Sequence, residues 1–292
     1  NRKVKENVTT INKYGNQILE LNKQIQRIEA AGIEHANDLR DTRNQILDEL
    51  GKLCKMNYSE DYYGNITVQI EGTDFVKGGM CYEIGLQTDA TTGFYTPFWP
   101  QNAEYTVMAD GTRSYDITHA KVFDLDQTVS STMDTDIGGL KAILLARGDH
   151  RANYSDIEKD YDGISQSIIM NMQAEFDQLI HNVATKINEV LANASDAERG
   201  YLCDKDGSPI QLFKKVTSDG WTKQTDAAGN TTWKYMEEDY DNTDTMYTLG
   251  NLKINNNLLQ EPSMLGFKLA DGKADYDTAE ALKSAFTEEA YH

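Results

Sequence analysis

Residues 4–31 alternate apolar and polar positions with a seven-residue period. Ile11, Ile18 and Ile25 recur seven apart, and Tyr14, Leu21 and Ile28 fill the second position of the same repeat. That 3.5-residue spacing keeps one stripe of a helix turned towards a partner, so it predicts a coiled-coil-like seam. Gly15 interrupts the helix at a cost of about 1 kcal/mol relative to alanine, so packing must hold this turn. Gly32 stands where a left-handed C-cap belongs. A second helix is predicted over HANDLRDTRNQILDELGKL, residues 35–53, with Asn37 or Asp38 as cap and Asp41 in capping-box spacing. Leu39, Ile46, Leu50 and Leu53 define its inward face, and Asp48 with Lys52 forms an i,i+4 pair outside.

From about residue 58 the period becomes two. GNITVQIEG sets Ile66, Val68 and Ile70 on one strand face, MCYEIGLQT follows, and EYTVMADGTRSYDI reads as a hairpin turning at Asp110-Gly111. Phe94, Tyr95, Phe98 and Trp99 are expected to fill the core of a small β-domain rather than line a ligand groove. A long helix is predicted over 155–194. Ile157, Ile168, Leu179 and Val190 recur every eleven residues in it, as do Tyr161, Met172, Val183 and Ala194, which implies a nearly straight rod unless Gly163 breaks its first turns. GYLCDKDGSPIQLF then reads as turn and strand, GWTKQTDAAGNTTWKYM as a hairpin around Ala228-Gly229-Asn230, and DTAEALKSAF as a short helix. The order predicts an α+β fold: an elongated helical bundle or hairpin domain with an inserted β-rich domain. Residues 1–57 plus 150–292 would form a discontinuous helix-rich rod with a small β annex at about 200–250, and residues 58–149 the insertion.

Charge narrows the choice of partners. The chain carries 28 basic and 47 acidic residues, a net charge of −19, which repels phosphate backbones and anionic lipid. Nucleic-acid and membrane-surface partners are therefore not expected, and no apolar run is long enough to span a bilayer. The first residue is Asn1 and the opening pattern starts mid-repeat, so the chain is expected to be part of a longer one. Three widely spaced cysteines, Cys54, Cys81 and Cys203, form no C-x-x-C. Three buried thiols are expected, with one disulfide plus a spare thiol as the alternative. Six N-x-S/T sequons are read as coincidence in an Asn-rich chain.

Motifs for chemistry are sparse. None of the five histidines pairs with another His or a Cys at ligand spacing, and His181 is read as flanking the long helix's apolar stripe. DKDGS and DYDG begin like calcium loops but lack the acidic continuation, so both are read as Asp-Gly turns. There is no nucleophile elbow, Walker loop or dinucleotide fingerprint. No catalytic, cofactor or metal residue is assigned. The Arg147-Gly148-Asp149 tripeptide is adhesive only if it protrudes, and the helical reading instead ends an apolar helix (Leu140, Ile143, Leu144, Leu145) at Gly148.

The run INKYGNQILELNKQIQRIEAAGIEHANDLRDTRNQILDELGKL, residues 11–53, resembles the flagellar hook-associated protein 1 family. Gly32, Ala36, Asn37, Asp38, Leu39, Arg40, Asp41, Arg43, Leu47, Asp48 and Leu50 stand in the family pattern. GGLKAILLARGD, LIHNVATKINEVLANA, GYLCDKDGSPIQLF and NLKINNNLLQEPSML resemble later family segments in order. The resemblance implies a structural adaptor at the hook–filament junction, extracellular, on the bacterial flagellum, exported without a cleavable signal, not an enzyme and without cofactor. Its partners would be other copies of itself, the hook protein and a second junction protein, with an export chaperone engaging a C-terminus beyond this chain; the chain alone is expected to be monomeric. The residues expected to carry packing are Ile11, Ile18, Leu21, Ile25, Ile28, Asn37, Asp38, Leu39, Arg40, Asp41, Arg43, Ile46, Leu50, Ile168, Leu179, Val183, Ile187 and Val190. The alternative is a surface adhesin or carbohydrate-binding module, drawing on the tripeptide and on Trp221, Trp233, Tyr235 and Tyr240.

Overall fold

The computed structural model describes residues 1–30, 35–218, 220–225, 229 and 231–287, and of residues 161, 165 and 231–235 the backbone alone. The expected Gly32 cap, the turn residues Ala228 and Asn230, and His292 lie outside the described residues. The fold is α+β. Packing divides it into two compact units, residues 1–151 with 166–169, and 152–165 with 170–292. The helical hairpin thus shares a unit with the β-rich segment that follows it; the sequence reading grouped residues 1–57 with 150–292.

The first unit opens with α1 (Arg2–Glu29) and α2 (Asn37–Leu53). A four-stranded antiparallel meander follows: β1 (Met56–Glu60), β2 (Ile66–Ile70), β3 (Thr73–Lys77) and β4 (Met80–Cys81). Two hairpins come next, β5 (Gly85–Thr88) with β6 (Tyr95–Phe98), and β7 (Glu104–Val107) with β8 (Arg113–Asp116), before α3 (Gly139–Arg147). Ile66, Val68 and Ile70 are buried on one face, as their alternation predicted. Gly111 has φ +82° in the β7–β8 turn, where Asp110 accepts from the Thr112 N–H. Phe98 and Trp99 are buried, Trp99 in the core with Phe75; Phe94 and Tyr95 are half-buried.

α1 keeps the seven-residue repeat but not both predicted seam positions. Its buried stripe is Val4, Val8, Ile11, Gly15, Ile18, Asn22 and Ile25. The Ile11–Ile18–Ile25 row is as expected. The second row is Val8–Gly15–Asn22, whereas Tyr14 and Leu21 are half-buried and Ile28 is 41% exposed. The offset has a steric cause. A Cβ on Gly15 would stand 2.4 Å from the Phe75 ring and 2.6 Å from Cys81 Sγ, so β3 and β4 rest directly on the helix backbone. α2 shows the same shift: Arg43, Leu47 and Leu50 are buried, with Ile46, Leu39 and Leu53 half-buried. Lys52 pairs with Glu49 at 2.6 Å instead of with Asp48.

The second unit contains α4 (Tyr154–Ser165) and most of α5 (Ile168–Ala194), then β9 (Phe213–Lys215), β10 (Trp221–Thr225), β11 (Thr231–Tyr235), β12 (Leu252–Ile254), α6 (Asn256–Gln260) and α7 (Tyr276–Ser284). β10 pairs with β11, and β9 with β12, both antiparallel. Asp275 caps α7 by accepting from Thr278 N. The expected continuous helix over 155–194 is interrupted: Asp160 leaves helical geometry at φ −161°, and the chain is not helical at 166–167. Ser167 there donates its hydroxyl to the Ala146 carbonyl of α3 at 3.0 Å, a tertiary contact at the break.

Phase is therefore not carried from α4 into α5, and the eleven-residue rows do not form a seam. Ile168 is 68% exposed, and Met172 and Leu179 are also exposed. The buried face of α5 instead repeats every seven residues. Met170, Asp177, Ala184 and Leu191 form one row and Ala174 with Asn188 the other, with half-buried His181 between them.

The polar members of this face hold the loop before β12. Asp177 accepts from Leu249 N at 2.6 Å and Tyr154 N at 3.2 Å. The His181 ring stacks on Tyr154 at 4.0 Å, with Nδ1 3.5 Å from Glu238, which also accepts from the Tyr154 hydroxyl. His181 is thus part of an interior network rather than a flank.

Gly15→Ala gains helix propensity yet is expected to destabilise the protein by about 1–3 kcal/mol, because the Phe75 ring has no room to retreat; urea unfolding measures it. Burial lowers the His181 pKa below 6.5 despite Glu238 and Asp177, so in acid the unfolded chain takes up a proton first. Thermal stability should then decline from neutral pH towards about pH 5, and His181→Gln should flatten that decline.

Candidate functional site

Arg40 and Arg43 lie three apart on α2, and so share a face. Arg40 grips Glu29, at the end of α1, as a two-pronged pair: Nε to Oε1 at 2.9 Å and Nη2 to Oε2 at 2.6 Å. Glu29 Oε1 also accepts the Ala36 N–H at 2.9 Å. The Arg40 hydrogen bond, then that amide, hold the Glu29 carboxyl down at about 2. Glu29 in turn pushes the Arg40 guanidinium further up. Arg40 Nη1 reaches on to Glu60 of β1.

Arg43 is 1% exposed. Its Nη1 donates to the Gly64 carbonyl at 2.6 Å and to Asn22 Oδ1 at 2.9 Å, and its Nη2 donates to Glu60 at 3.2 Å. Burial lowers its pKa and Glu60 opposes the shift. Asn22 then clasps both backbone groups of Ile66: Nδ2 donates to its carbonyl at 2.8 Å, and Oδ1 accepts its N–H at 3.1 Å. Gly64 sits at φ +77°, and a Cβ there would meet Arg40 Nη2 at 2.8 Å. Charge and backbone hydrogen bonds thus tie α1, α2, β1 and the start of β2 at one corner. A buried charge costs several kcal/mol unless its donors are used; Arg43 meets two carbonyl-type oxygens and a carboxylate through Nη1 and Nη2, while its buried Nε has no partner.

The clasp recurs elsewhere. Asn12 holds Ile84 in the same way, at 3.0 and 2.9 Å. In the second unit Asn188 donates to Phe213 O at 2.8 Å and accepts from Leu212 N at 2.9 Å. Each is a helix-borne amide reproducing both halves of a strand pairing.

Of the residues the sequence nominated, Ile11, Ile18, Ile25, Arg43, Leu50 and Ile187 are buried, while Leu21, Leu39, Arg40, Ile46, Val183 and Val190 are half-buried. Ile28, Ile168 and Leu179 are exposed, as are Asn37, Asp38 and Asp41. The expected side-chain cap is absent: α2 is capped by Ala36 with no side-chain hydrogen bond. Glu29 satisfies the Ala36 N–H instead, leaving Asp38 to face the positive helix end. Glu29, Glu60, Gly64 and the clasping asparagines were not foreseen.

Arg147 does not protrude. It lies over the Phe94 ring at 4.5 Å and donates to Asn1 Oδ1 and the Tyr95 carbonyl at 2.8 and 3.1 Å. The three cysteines are free thiols, with Cys54 and Cys203 buried and Cys81 half-buried. Burial pushes Cys54 up to about 12 and Cys81 to about 11, which leaves both unreactive. Among the described residues no group of three or more His, Cys, Asp or Glu could hold a metal ion, and no helix is long and apolar enough to cross a membrane. In this corner both guanidiniums are paired with carboxylates, and Arg43 also with the Gly64 carbonyl and Asn22.

Arg43→Met strands the Gly64 carbonyl and is expected to cost about 2–4 kcal/mol, while Asp41→Ala on the solvent side stays within about 0.5 kcal/mol. Equilibrium denaturation of the two variants beside the parent checks the contrast.

The family model described as the flagellar hook-associated protein FlgK helical domain matches residues 1–202. No curated protein matches the chain. Among solved structures, the flagellar hook junction protein FlgK from Burkholderia pseudomallei is similar at 19% identity and a TM-score of 0.44, over 74% of this chain and 31% of that one. The chain therefore spans about a third of that protein's length. Because the family model takes in residues 1–202 of 292, this chain belongs to the flagellar hook-associated protein FlgK family.

Proposed function

We propose that this chain is part of a structural adaptor at the hook–filament junction of a bacterial flagellum, outside the cell, and is not an enzyme. In the full-length molecule, copies would pack side by side through heterologous contacts, as a tubular assembly requires. The hook protein and a second junction protein would be the axial neighbours, and an export chaperone would engage the C-terminal part. Residues 1–57 and 150–292 would contribute to the axial rod.

The observation that carries this reading is the family match over residues 1–202. Two physical features support it. The arginine corner makes the α1–α2 hairpin a stiff, multiply tied unit. On α5, Met172, Phe176 and Leu179 are exposed at i, i+4 and i+7, an apolar row with the spacing of a helix-packing seam. The adhesive reading draws less support from its tripeptide, because Arg147 is bonded to Asn1 and Tyr95, although the Asp149 carboxylate is exposed.

Deleting the gene should leave hooks without filaments, with filament subunits in the medium; normal filaments in that strain would refute the proposal. Phe176→Glu in the full-length gene should impair filament attachment, while leaving the melting temperature of the 292-residue chain unchanged.

A further inference from the structure

Two helices carry a second seven-residue row that is left wholly or partly exposed. On α5 it is Phe176, Val183 and Val190, with Met172 and Leu179 in the companion position of the repeat. Met172, Phe176 and Leu179 are exposed and the two valines half-buried. On α1 it is Tyr14, Leu21 and Ile28, the first two half-buried and Ile28 exposed.

Charge decides which rows suit one another. The residue just before each row member flanks the seam, the position through which paired helices select partner and direction. On α5 these residues are Glu175, Asn182 and Glu189; on α1 they are Lys13, Glu20 and Arg27. Two copies of α5 laid antiparallel would set Glu175 against Glu189. Laid parallel, they would stack Lys186 on Lys186 within the seam. Charge therefore opposes self-pairing of this helix in both directions. α1 is complementary to it, with six basic and three acidic residues in a chain of net charge −19. Its exposed Lys13 and Arg27 stand fourteen residues apart, which is also the separation of the exposed Glu175 and Glu189.

One antiparallel register satisfies both spacings. Lys13 then meets Glu189 and Arg27 meets Glu175, while Leu21 lies on Leu179 and Ile28 on Met172. Tyr14 falls opposite Lys186, a cation–π partner for its ring. Glu189 keeps its contact with Lys186 at 3.5 Å along α5. The alternate layers set Gln24 against Phe176 and Gln17 against Val183, so the contact is half polar, the character of a joint between subunits that fold separately. We propose that α5 of one copy docks antiparallel on α1 of the next copy. The contact joins two different surfaces, so it passes on from copy to copy. It rests on the side-by-side packing proposed above and gives that packing a surface and a register.

The test combines Leu21→Cys with Leu179→Cys in the full-length gene, followed by mild oxidation of isolated flagella. A ladder of dimers, trimers and larger multimers is expected on a denaturing gel, with neither single substitution producing one. Dimers from Leu179→Cys alone would mean that α5 pairs with itself, and an internally cross-linked monomer from the double variant would seat the row on its own chain. Either result overturns the proposal. So does the absence of a ladder from flagella that bear filaments, an outcome that leaves the junction role standing; normal filaments in the deletion strain would remove both. Charge reversal decides the matter if the cysteine variant does not assemble. Lys13→Glu with Arg27→Glu should cut the fraction of filament-bearing cells about tenfold, and adding Glu175→Lys with Glu189→Lys should restore it. Failure of that exchange to restore filaments would overturn the pairing.

Discussion

An amide side chain at an inward position of a helix carries one donor and one acceptor in the geometry of a peptide group, and the fold depends on that match. Asn22 on α1 and Asn188 on α5 occupy equivalent places in two seven-residue repeats, each followed three residues later by a buried aliphatic, Ile25 or Leu191. Each pairs with the backbone of an extended segment 25 to 44 residues further along the chain. A helix side and a strand edge otherwise have no shared hydrogen-bonding pattern. The asparagine supplies one, and it fixes register, because moving the strand by a single residue would leave the amide and the peptide groups unpaired in the interior.

Arg43 extends the same logic to charge. Apolar residues of similar volume often stabilise a protein as well as a buried ion pair does. What the guanidinium adds is direction: its donors meet Asn22, the Gly64 carbonyl and Glu60 only if α1, α2 and the loop before β2 are all in place. Arg40 and Glu29 repeat the constraint at the rim, where Glu29 also takes over the role of a helix cap.

The repeat of α1 and the alternation of β2 were legible because they are one-dimensional patterns set by burial. The second rows were not. Gly15 and Asn22 occupy seam positions but look like breaks in an apolar pattern, whereas Tyr14 and Leu21 beside them fit the repeat. What distinguishes them is the Phe75 ring and the Ile66 backbone, which reach the helix only through the tertiary fold. In α5 the eleven-residue spacing of Ile168, Leu179 and Val190 was a coincidence, since Ile168 and Leu179 are exposed and the helix breaks before Ile168, at 166–167. The true rows contain Asp177, His181 and Asn188, which read as solvent-facing until their partners are known. Of the arginine corner, Arg40 and Arg43 were visible through the family pattern. Glu60 and Gly64 carried no signal, lying in a turn and a strand that spacing alone does not connect to α2.

The core of the first unit joins Val4 and Val8 to Leu140 and Leu144. The same core also contains Leu47 and Leu50 of α2 and Phe75 of β3, so part of the apolar stripe of α1 can be covered by segments that lie close to it in the chain. The remainder closes only when α1 and α3 meet across some 140 residues, a long-range step that slows the consolidation of this unit.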